Sequence, residues 1–266
     1  MTFTGLIGAI CMFPLRAIIA VCVALRIHPN TLTFIGVLVN GWAAVDLARG
    51  RFVRAGVILI AASIFDFIDG KVAHETGLMS KFGGFWDSVI DRFSDILLFI
   101  GLISLYSSLG RTDYVLVASL AMMFALMTSY TRARAESLID KCKVGFMERP
   151  ERCVLFMIGA FTNRMAGVLW VILVLSVFSV ADRVILTYRV LERGTDERPK
   201  AITNSPLPVR MLWNAFFWTF ERATWQYDLM VIAILSFVWL VPPDWIGDPV
   251  AHGDGPIGWL LDLVKA

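Results

Sequence analysis

The sequence is a succession of apolar runs, most of them close to the length needed to cross a bilayer, separated by short charged segments. A spanning helix requires about 20 apolar residues, so each run predicts one span. Hydrophobic residues make up 58% of the chain and charged residues only 17%, which indicates an integral membrane protein. The predicted spans are 32–48, 55–73, 85–109, 114–135, 153–161 running on toward Asn163, and 166–188.

The two ends of the chain differ from this six-span core. Residues 4–27 are apolar but interrupted by Pro14 and Arg16, which favours a helix lying in the membrane interface, with a short span from Met1 as the alternative. Beyond Arg193 come a polar linker, an aromatic stretch at 211–227 that fits an interfacial helix, and a barely span-length run at 229–241. We therefore predict an all-α, polytopic membrane bundle with regions 1–27, 28–193 and 194–266.

The distribution of basic residues predicts the orientation of the bundle. Six spans place both ends of the core on one side, together with Lys141, Lys143 and the basic stretch 183–210. Basic residues favour the cytoplasmic side, although the cluster at 49–54 lies on the opposite one. These charges predict a multi-pass protein of the cell (inner) membrane with a cytoplasmic N-terminus.

Composition also excludes some classes of function. The net charge of +2 is too small to indicate nucleic-acid binding. The four cysteines contain no C-x-x-C pair, and the three histidines lie far apart in sequence, which argues against a zinc site.

Four aspartates interrupt the apolar sequence in the last part of the second predicted span and the first part of the third. Two lie at Asp66 and Asp69, and two more follow at Asp87 and Asp91. Each ionised carboxylate at bilayer depth costs about 3 kcal/mol, so four uncompensated ones would oppose insertion by about 10 kcal/mol. A cation must therefore lie among them.

Helical spacing places these aspartates on two stripes. Asp66, Asp69, Gly70 and Ala73 share one face of a helix, and Gly83, Asp87 and Asp91 share a face of the next. The loop 74–82 joins the two helices, so the stripes should face one another near the cytoplasmic surface.

Clustered carboxylates without His or Cys suit hard cations such as Mg²⁺, Mn²⁺ or Ca²⁺. Two such ions can clamp a phosphoryl displacement, and a carboxylate at the end of the row can act as general base. The alternative is a set of buried ion pairs with Lys71, Lys81 or Arg92, and for Asp95, one turn further on, this structural role is favoured.

Together these residues follow the pattern D-x-x-D-G-x-x-A-R-x8-G-x-x-x-D-x-x-x-D, which resembles the signature of the CDP-alcohol phosphotransferases. The chain departs from it only at His74, where that family usually has Arg. The resemblance covers residues 28–190 and implies a six-span, homodimeric membrane enzyme. Such enzymes transfer a substituted phosphate from a CDP-linked lipid to an alcohol and release CMP.

The resemblance also implies roles for individual residues. Asp66, Asp69, Asp87 and Asp91 would bind two Mg²⁺ ions, with Mn²⁺ as an alternative, and Asp91 would act as the general base. A neutral imidazole at His74 donates one hydrogen bond where guanidinium has five donors, so CDP affinity is expected to be lower or more pH-sensitive. The implied nucleotide-binding residues are Asn30, Thr33, Asp69, Gly70, Ala73, His74 and Gly83.

Three arginines bear on the acceptor alcohol. Arg132 closes the fourth predicted span, Arg152 opens the fifth, and Arg183 lies at the cytoplasmic end of the sixth. In a packed bundle they can converge, and guanidinium groups suit a phosphate dianion. The alternative is flanking charge that contacts membrane lipids.

The segments Arg-Ala-Arg-Ala-Glu and Glu-Arg-Pro-Glu-Arg resemble the phosphatidylinositol-phosphate synthase branch of the family. There the matching basic positions bind the phosphate of inositol phosphate, so the resemblance implies CDP-diacylglycerol and inositol 1-phosphate as substrates.

One other acceptor remains open on the sequence, and two other functions are disfavoured. The same chemistry on glycerol 3-phosphate would also need a phosphate pocket. A prenyltransferase would need a second, distant Asp-rich motif, which the sequence lacks. A divalent-cation transporter would distribute acidic residues over several spans, whereas here they cluster around one loop.

Overall fold

The computed structural model describes residues 15–194, Pro206 and residues 225–251. Within these ranges the regular secondary structure is entirely helical, as predicted. The helices are α1 (Leu15–Ala24), α2 (Pro29–Ala48), α3 (Phe52–Glu75), α4 (Lys81–Ser108), α5 (Thr112–Ala135), α6 (Arg149–Thr162), α7 (Met165–Arg193), α8 (Trp225–Leu240) and α9 (Pro243–Ile246).

Each of the six predicted core spans coincides with one helix, α2 to α7. Three of these, α2, α5 and α7, are long and apolar enough to cross a membrane by length and composition. Helices α3 and α4 carry the aspartates and several basic residues. Helix α6 has 14 residues, a length of about 21 Å against a hydrocarbon core of about 30 Å.

The exposed surface of α2 is that of a lipid-facing helix. Phe34, Leu38 and Trp42, one turn apart, are 48%, 59% and 57% exposed. A soluble protein rarely exposes such an apolar stripe, whereas in a bilayer the stripe faces hydrocarbon. The chain is therefore a membrane protein.

The chain divides into two compact units, Met1–Gly101 and Leu102–Ala266, with the boundary inside α4. In the first unit α2 packs along α3. Ile19 and Cys22 of α1 join a cluster of buried side chains with Leu32, Ile68 and Val72. The described part of the predicted interfacial helix thus packs on α2 and α3, and residues 1–14 lie outside the described ranges.

In the second unit α7 is the central helix, because α5, α6, α8 and α9 all pack against it. The connection from α5 to α6 approaches α7 at Gly145, where φ is +88° and an added Cβ would lie 2.9 Å from Ser179 Cβ. A side chain at this position would be strained by both the backbone angle and the contact. Glycine therefore lets the connection lie directly on α7.

The described end of the C-terminal region docks on the turn before α5. Arg111 Nη2 donates a 2.6 Å hydrogen bond to Gly247 O, and the Tyr114 hydroxyl donates to Ile246 O. The predicted apolar run at 229–241 forms α8, a helix of 16 residues. The predicted linker and most of the aromatic stretch at 211–227 fall outside the described residues.

Candidate active site

Three of the four predicted metal ligands converge. Carboxylate oxygens of Asp66, Asp69 and Asp87 all lie within 4.8 Å of one another. Asp69 is only 5% exposed, and the other two side chains are half-buried. Like charges at this separation repel strongly away from bulk water, so the cluster is a favourable place for a cation.

Local sequence places these side chains at facing helix ends. Asp66 and Asp69 lie one turn apart near the end of α3, which stops at Glu75 before Gly77 with φ +68°. Helix α4 begins with Ser80 as its cap, since Ser80 Oγ accepts a 2.9 Å hydrogen bond from Gly83 N. The short link between α3 and α4 returns Asp87 to the level of the α3 carboxylates.

Thr33 on α2 orients the most buried aspartate. Its hydroxyl donates a 2.6 Å hydrogen bond to Asp69 Oδ2 and also lies 3.2 Å from Pro29 O. A hydroxyl donor favours the ionised carboxylate and fixes its rotamer, which leaves the other oxygen, Oδ1, available to a ligand. The sequence resemblance assigned Thr33 to the nucleotide, so its contact with Asp69 is an additional role.

A cavity of about 190 Å³ adjoins the acidic cluster. Asp69 and Asp87 line it, and so do most of the residues that the resemblance assigned to the nucleotide. Those are Asn30, Thr33, Gly70, Ala73 and Gly83.

Gly70 leaves open space at this cavity. A Cβ added there would meet nothing within 4 Å, whereas one at Gly83 would lie 3.2 Å from Ser80 Oγ. The protein itself therefore does not require glycine at position 70. A ligand that approaches the backbone would require it.

The remaining predicted residues lie outside this convergence. His74 is exposed and is not among the residues that line the cavity. Asp91 lies one turn beyond Asp87, outside the group within 4.8 Å, and its Oδ2 is 3.9 Å from Arg92 Nη1. Asp95, one further turn on, is 3% exposed. The roles of His74 and Asp91 stay predictions.

The donor set at this site fits a hard divalent cation. Three carboxylates converge without His or Cys in the group, and one of them is buried. Oxygen-only ligation suits Mg²⁺ or Mn²⁺ and does not suit zinc. Of the ion-pair partners considered above, Lys71 lies over the Phe67 ring, 5.7 Å from its centroid.

The three predicted arginines also converge, within the second unit. Arg132 Nη1 lies 2.8 Å from Glu148 Oε1, and Arg183 Nη2 lies 3.6 Å from the same oxygen. Arg152 and Arg183 share Thr128, because Arg152 Nη1 donates to its hydroxyl at 3.2 Å and Arg183 Nη1 donates to its carbonyl. Three helices therefore bring guanidinium groups to one place.

Burial distinguishes this cluster from ordinary flanking charge. Arg152 and Arg183 are 1% and 2% exposed. Arg183 Nε also donates to Val144 O at 3.0 Å. Val144 lies in the α5–α6 connection, next to the point where Gly145 packs on α7. Cys142 lies fully buried in the same connection, and burial raises the pKa of its thiol, so it adds no negative charge.

Two residues that contact the arginines, Thr128 and Glu148, could not be assigned a role from the sequence. Thr128 gives no motif signal, and its contacts require α5 to pack on α7. Glu148 belongs to the Glu-Arg-Pro-Glu-Arg segment quoted above, but the sequence assigned it no function. Its position immediately before α6 was the available signal.

Comparison with known proteins supports the sequence resemblance. Residues 26–181 match the family CDP-alcohol phosphatidyltransferase. An archaetidylinositol phosphate synthase of Pyrococcus horikoshii is 35% identical over 182 residues, which cover 68% of this chain and 94% of that protein. A phosphatidylinositol phosphate synthase of Mycobacteroides abscessus is 31% identical and is covered over 74% of its length.

Solved structures share the fold. A phosphatidylinositol phosphate synthase of Mycobacterium tuberculosis with CDP-DAG bound aligns with a TM-score of 0.62 at 23% identity, over 73% of this chain and 98% of that one. The same enzyme in complex with manganese and citrate aligns with a TM-score of 0.60 at 24% identity, over 71% and 92% of the two chains.

Proposed function

Because the chain belongs to the CDP-alcohol phosphatidyltransferase family, we propose that it is a membrane phospholipid synthase acting on CDP-diacylglycerol and inositol 1-phosphate. The products are phosphatidylinositol phosphate and CMP. The observation that carries the acceptor is the convergence of Arg132, Arg152 and Arg183, two of them almost fully buried. A phosphomonoester brings negative charge to this cluster, whereas a neutral alcohol brings none.

The acidic cluster supports the donor half of the reaction. Asp66, Asp69 and Asp87 would hold divalent cations, Mg²⁺ or Mn²⁺, with Asp91 completing the set for a second ion. When bound, such cations would neutralise charge on the diphosphate of the CDP-lipid. The cavity beside Asp69 would take the nucleotide, and His74 stands in the sequence where the family usually has Arg.

The chain's own residues supply the remaining chemistry. Asp91 accepts the proton of the acceptor hydroxyl, and the hydroxyl oxygen forms a bond to the lipid-bearing phosphorus. The bond from that phosphorus to the CMP oxygen breaks, and CMP leaves. The arginines would hold the acceptor phosphate.

The same family membership supports the topology proposed from the sequence. Helices α2 to α7 would form six spans with both ends of the core in the cytoplasm and the active site on that side of the inner membrane. A homodimer is the expected assembly. The regions 1–27 and 194–266 would flank a catalytic domain at 28–193.

Glycerol 3-phosphate is the second candidate acceptor, because the arginine cluster recognises a phosphate rather than an inositol ring. The names of the relatives favour inositol phosphate: those of Pyrococcus and Mycobacteroides share that headgroup and differ in the lipid. Cation transport is disfavoured because the converging carboxylates belong to two helix ends joined by one short link.

The test is CMP release by the purified full-length protein in detergent, with CDP-diacylglycerol, Mg²⁺ and each acceptor in turn. We expect Mg²⁺-dependent release with inositol 1-phosphate and almost none with inositol. Release that survives Asp91→Asn would exclude the general-base role. No release with any alcohol would exclude the proposed reaction.

A further inference from the structure

The arginine cluster contains its own anion. Glu148 Oε1 lies between Arg132 Nη1 at 2.8 Å and Arg183 Nη2 at 3.6 Å. The Glu148 side chain is 26% exposed, so it reaches the cluster from an accessible position. A single carboxylate oxygen thus lies where two guanidinium groups from different helices converge.

The two buried arginines are held in place by other groups. Arg183 donates from Nε to Val144 O and from Nη1 to Thr128 O. Arg152 donates from Nη1 to the Thr128 hydroxyl. Within the described residues, Arg183 Nη2 makes no hydrogen bond and has the Glu148 carboxylate as its nearest counter-charge.

One set of groups therefore positions the guanidinium groups, and another neutralises their charge. The Val144 carbonyl and Thr128 fix the directions of the guanidinium groups whether or not Glu148 is charged. Glu148 contributes a negative charge 3.6 Å from Arg183 Nη2, an atom that has no hydrogen bond within the described residues. Phosphate oxygens make the same kind of contact with guanidinium as carboxylate oxygens do.

We propose that Glu148 is an internal competitor for the acceptor phosphate, occupying the shared face of Arg132 and Arg183 until a phosphomonoester displaces it. This inference rests on the proposed function and adds a specificity-determining residue to it. A phosphate dianion carries more charge than the carboxylate and can displace it. An unphosphorylated alcohol cannot displace the carboxylate. Glu148 therefore raises the selectivity for phosphorylated over unphosphorylated acceptors.

The backbone at Glu148 allows this exchange without a change of fold. Its carbonyl accepts from Arg152 N at 3.2 Å and its N–H donates to Phe146 O at 3.0 Å. Both contacts belong to the backbone. Displacement of the side chain from the arginines would therefore leave these two backbone hydrogen bonds at the start of α6 in place.

Glu136 provides a matched control. Its Oε1 lies 3.1 Å from Arg132 Nε, so it also neutralises Arg132. It lies four residues along from Arg132 and contacts Nε, whereas Glu148 contacts Nη1 of Arg132 and Nη2 of Arg183. Removing its charge alters Arg132 and a weak 3.4 Å hydrogen bond from Cys142 N, and it leaves the shared face occupied by Glu148.

The experiment measures binding of inorganic phosphate to the full-length protein in detergent by isothermal titration calorimetry. Glu148→Gln should bind phosphate about threefold to tenfold more tightly than the wild type, because a partly exposed ionic competitor has been removed. Glu136→Gln should change the affinity less than Glu148→Gln does. The KM for inositol 1-phosphate should fall with the phosphate Kd, while the KM for CDP-diacylglycerol stays constant.

Wild-type affinity or weaker binding in a folded Glu148→Gln would overturn the inference and leave the phosphate pocket intact. If Glu148→Gln does not fold, Glu148→Asp keeps the charge but shortens its reach. It should then also bind phosphate more tightly, and weaker binding would overturn the inference. Absence of phosphate binding in the wild type would exclude the acceptor pocket itself, and CMP release reports separately on the reaction.

Discussion

The acidic and basic clusters meet the cost of buried charge in opposite ways. Asp66, Asp69 and Asp87 gather like charges within 4.8 Å beside a cavity. The arginine cluster interleaves opposite charges, with Glu148 between Arg132 and Arg183. The first arrangement is stabilised by a ligand of opposite charge, and the second is largely neutralised before any ligand arrives.

The difference indicates what each cluster is for. A site that must hold a cation throughout the reaction gains from strong mutual repulsion among its ligands, because the repulsion disappears on binding. A site that must bind and release a substrate gains from an internal counter-charge that limits its affinity.

The largest effect is expected for Asp69→Asn. Losing one ligand should lower kcat/KM by about a thousandfold, since the charge stabilisation supplied by a bound metal is worth several kcal/mol. Mg²⁺ should raise the melting temperature of the wild type and not that of the variant. Asp113→Asn is the control, because this exposed aspartate pairs with Arg111 and lies outside both clusters. If Asp69→Asn kept its activity, the acidic cluster would not be the metal site of the reaction.

Gly70→Ala tests whether the cavity serves a ligand. The new methyl group meets no protein atom within 4 Å, so stability should be unchanged or improved. A displaced nucleotide should nevertheless lower kcat/KM for CDP-diacylglycerol by about a hundredfold. The control is Gly36→Ala in α2, where a Cβ makes an ordinary 3.6 Å contact with Phe65. Unchanged kinetics in Gly70→Ala would show that the nucleotide does not bind in this cavity.

Arg152→Gln tests the basic half of the comparison. The KM for inositol 1-phosphate should rise by about thirtyfold, the value of one charge-assisted hydrogen bond, with little change in the KM for CDP-diacylglycerol. Arg134→Gln is the matched control, since Arg134 is exposed and lies 3.4 Å from Ser137 Oγ at the same end of α5. Equal increases in both KM values would mean that the two clusters do not have separate substrates.

Thr33→Val is the mildest change. The replacement keeps the shape of the side chain and removes the 2.6 Å hydrogen bond to Asp69. Groups that orient metal ligands typically change metal affinity by tenfold or more, so the Mg²⁺ concentration at half-maximal activity should rise about tenfold. Activity at saturating Mg²⁺ should recover. A loss that excess Mg²⁺ does not restore would assign Thr33 to the nucleotide instead.

Hydropathy predicted where the core helices lie but not where they begin. The fifth run begins at residue 153, whereas α6 begins at Arg149, because its first turn is charged and Pro150 is tolerated there. The third run begins at residue 85, whereas α4 begins at Lys81, since Ser80 caps a turn that contains two glycines. A search for apolar residues therefore misses the first turn of α4 and the first turn of α6.

The acidic site was predictable because its residues lie within 26 positions of one another on two consecutive helices. The contact between Thr33 and Asp69 spans 36 positions and depends on how α2 packs on α3. The link from Arg183 to Thr128 spans 55 positions, and that from Arg111 to Gly247 spans 136. No local spacing encodes such contacts, so only the three-dimensional packing identifies them.

The most direct test of the proposed function is a competition between acceptors. The wild-type protein would receive CDP-diacylglycerol, Mg²⁺ and equal concentrations of inositol 1-phosphate, glycerol 3-phosphate and inositol, and mass spectrometry would quantify the lipid products. We predict that phosphatidylinositol phosphate forms in large excess over both other products. Phosphatidylglycerol phosphate as the main product would contradict the assigned acceptor, and phosphatidylinositol as the main product would contradict the role of the arginine cluster.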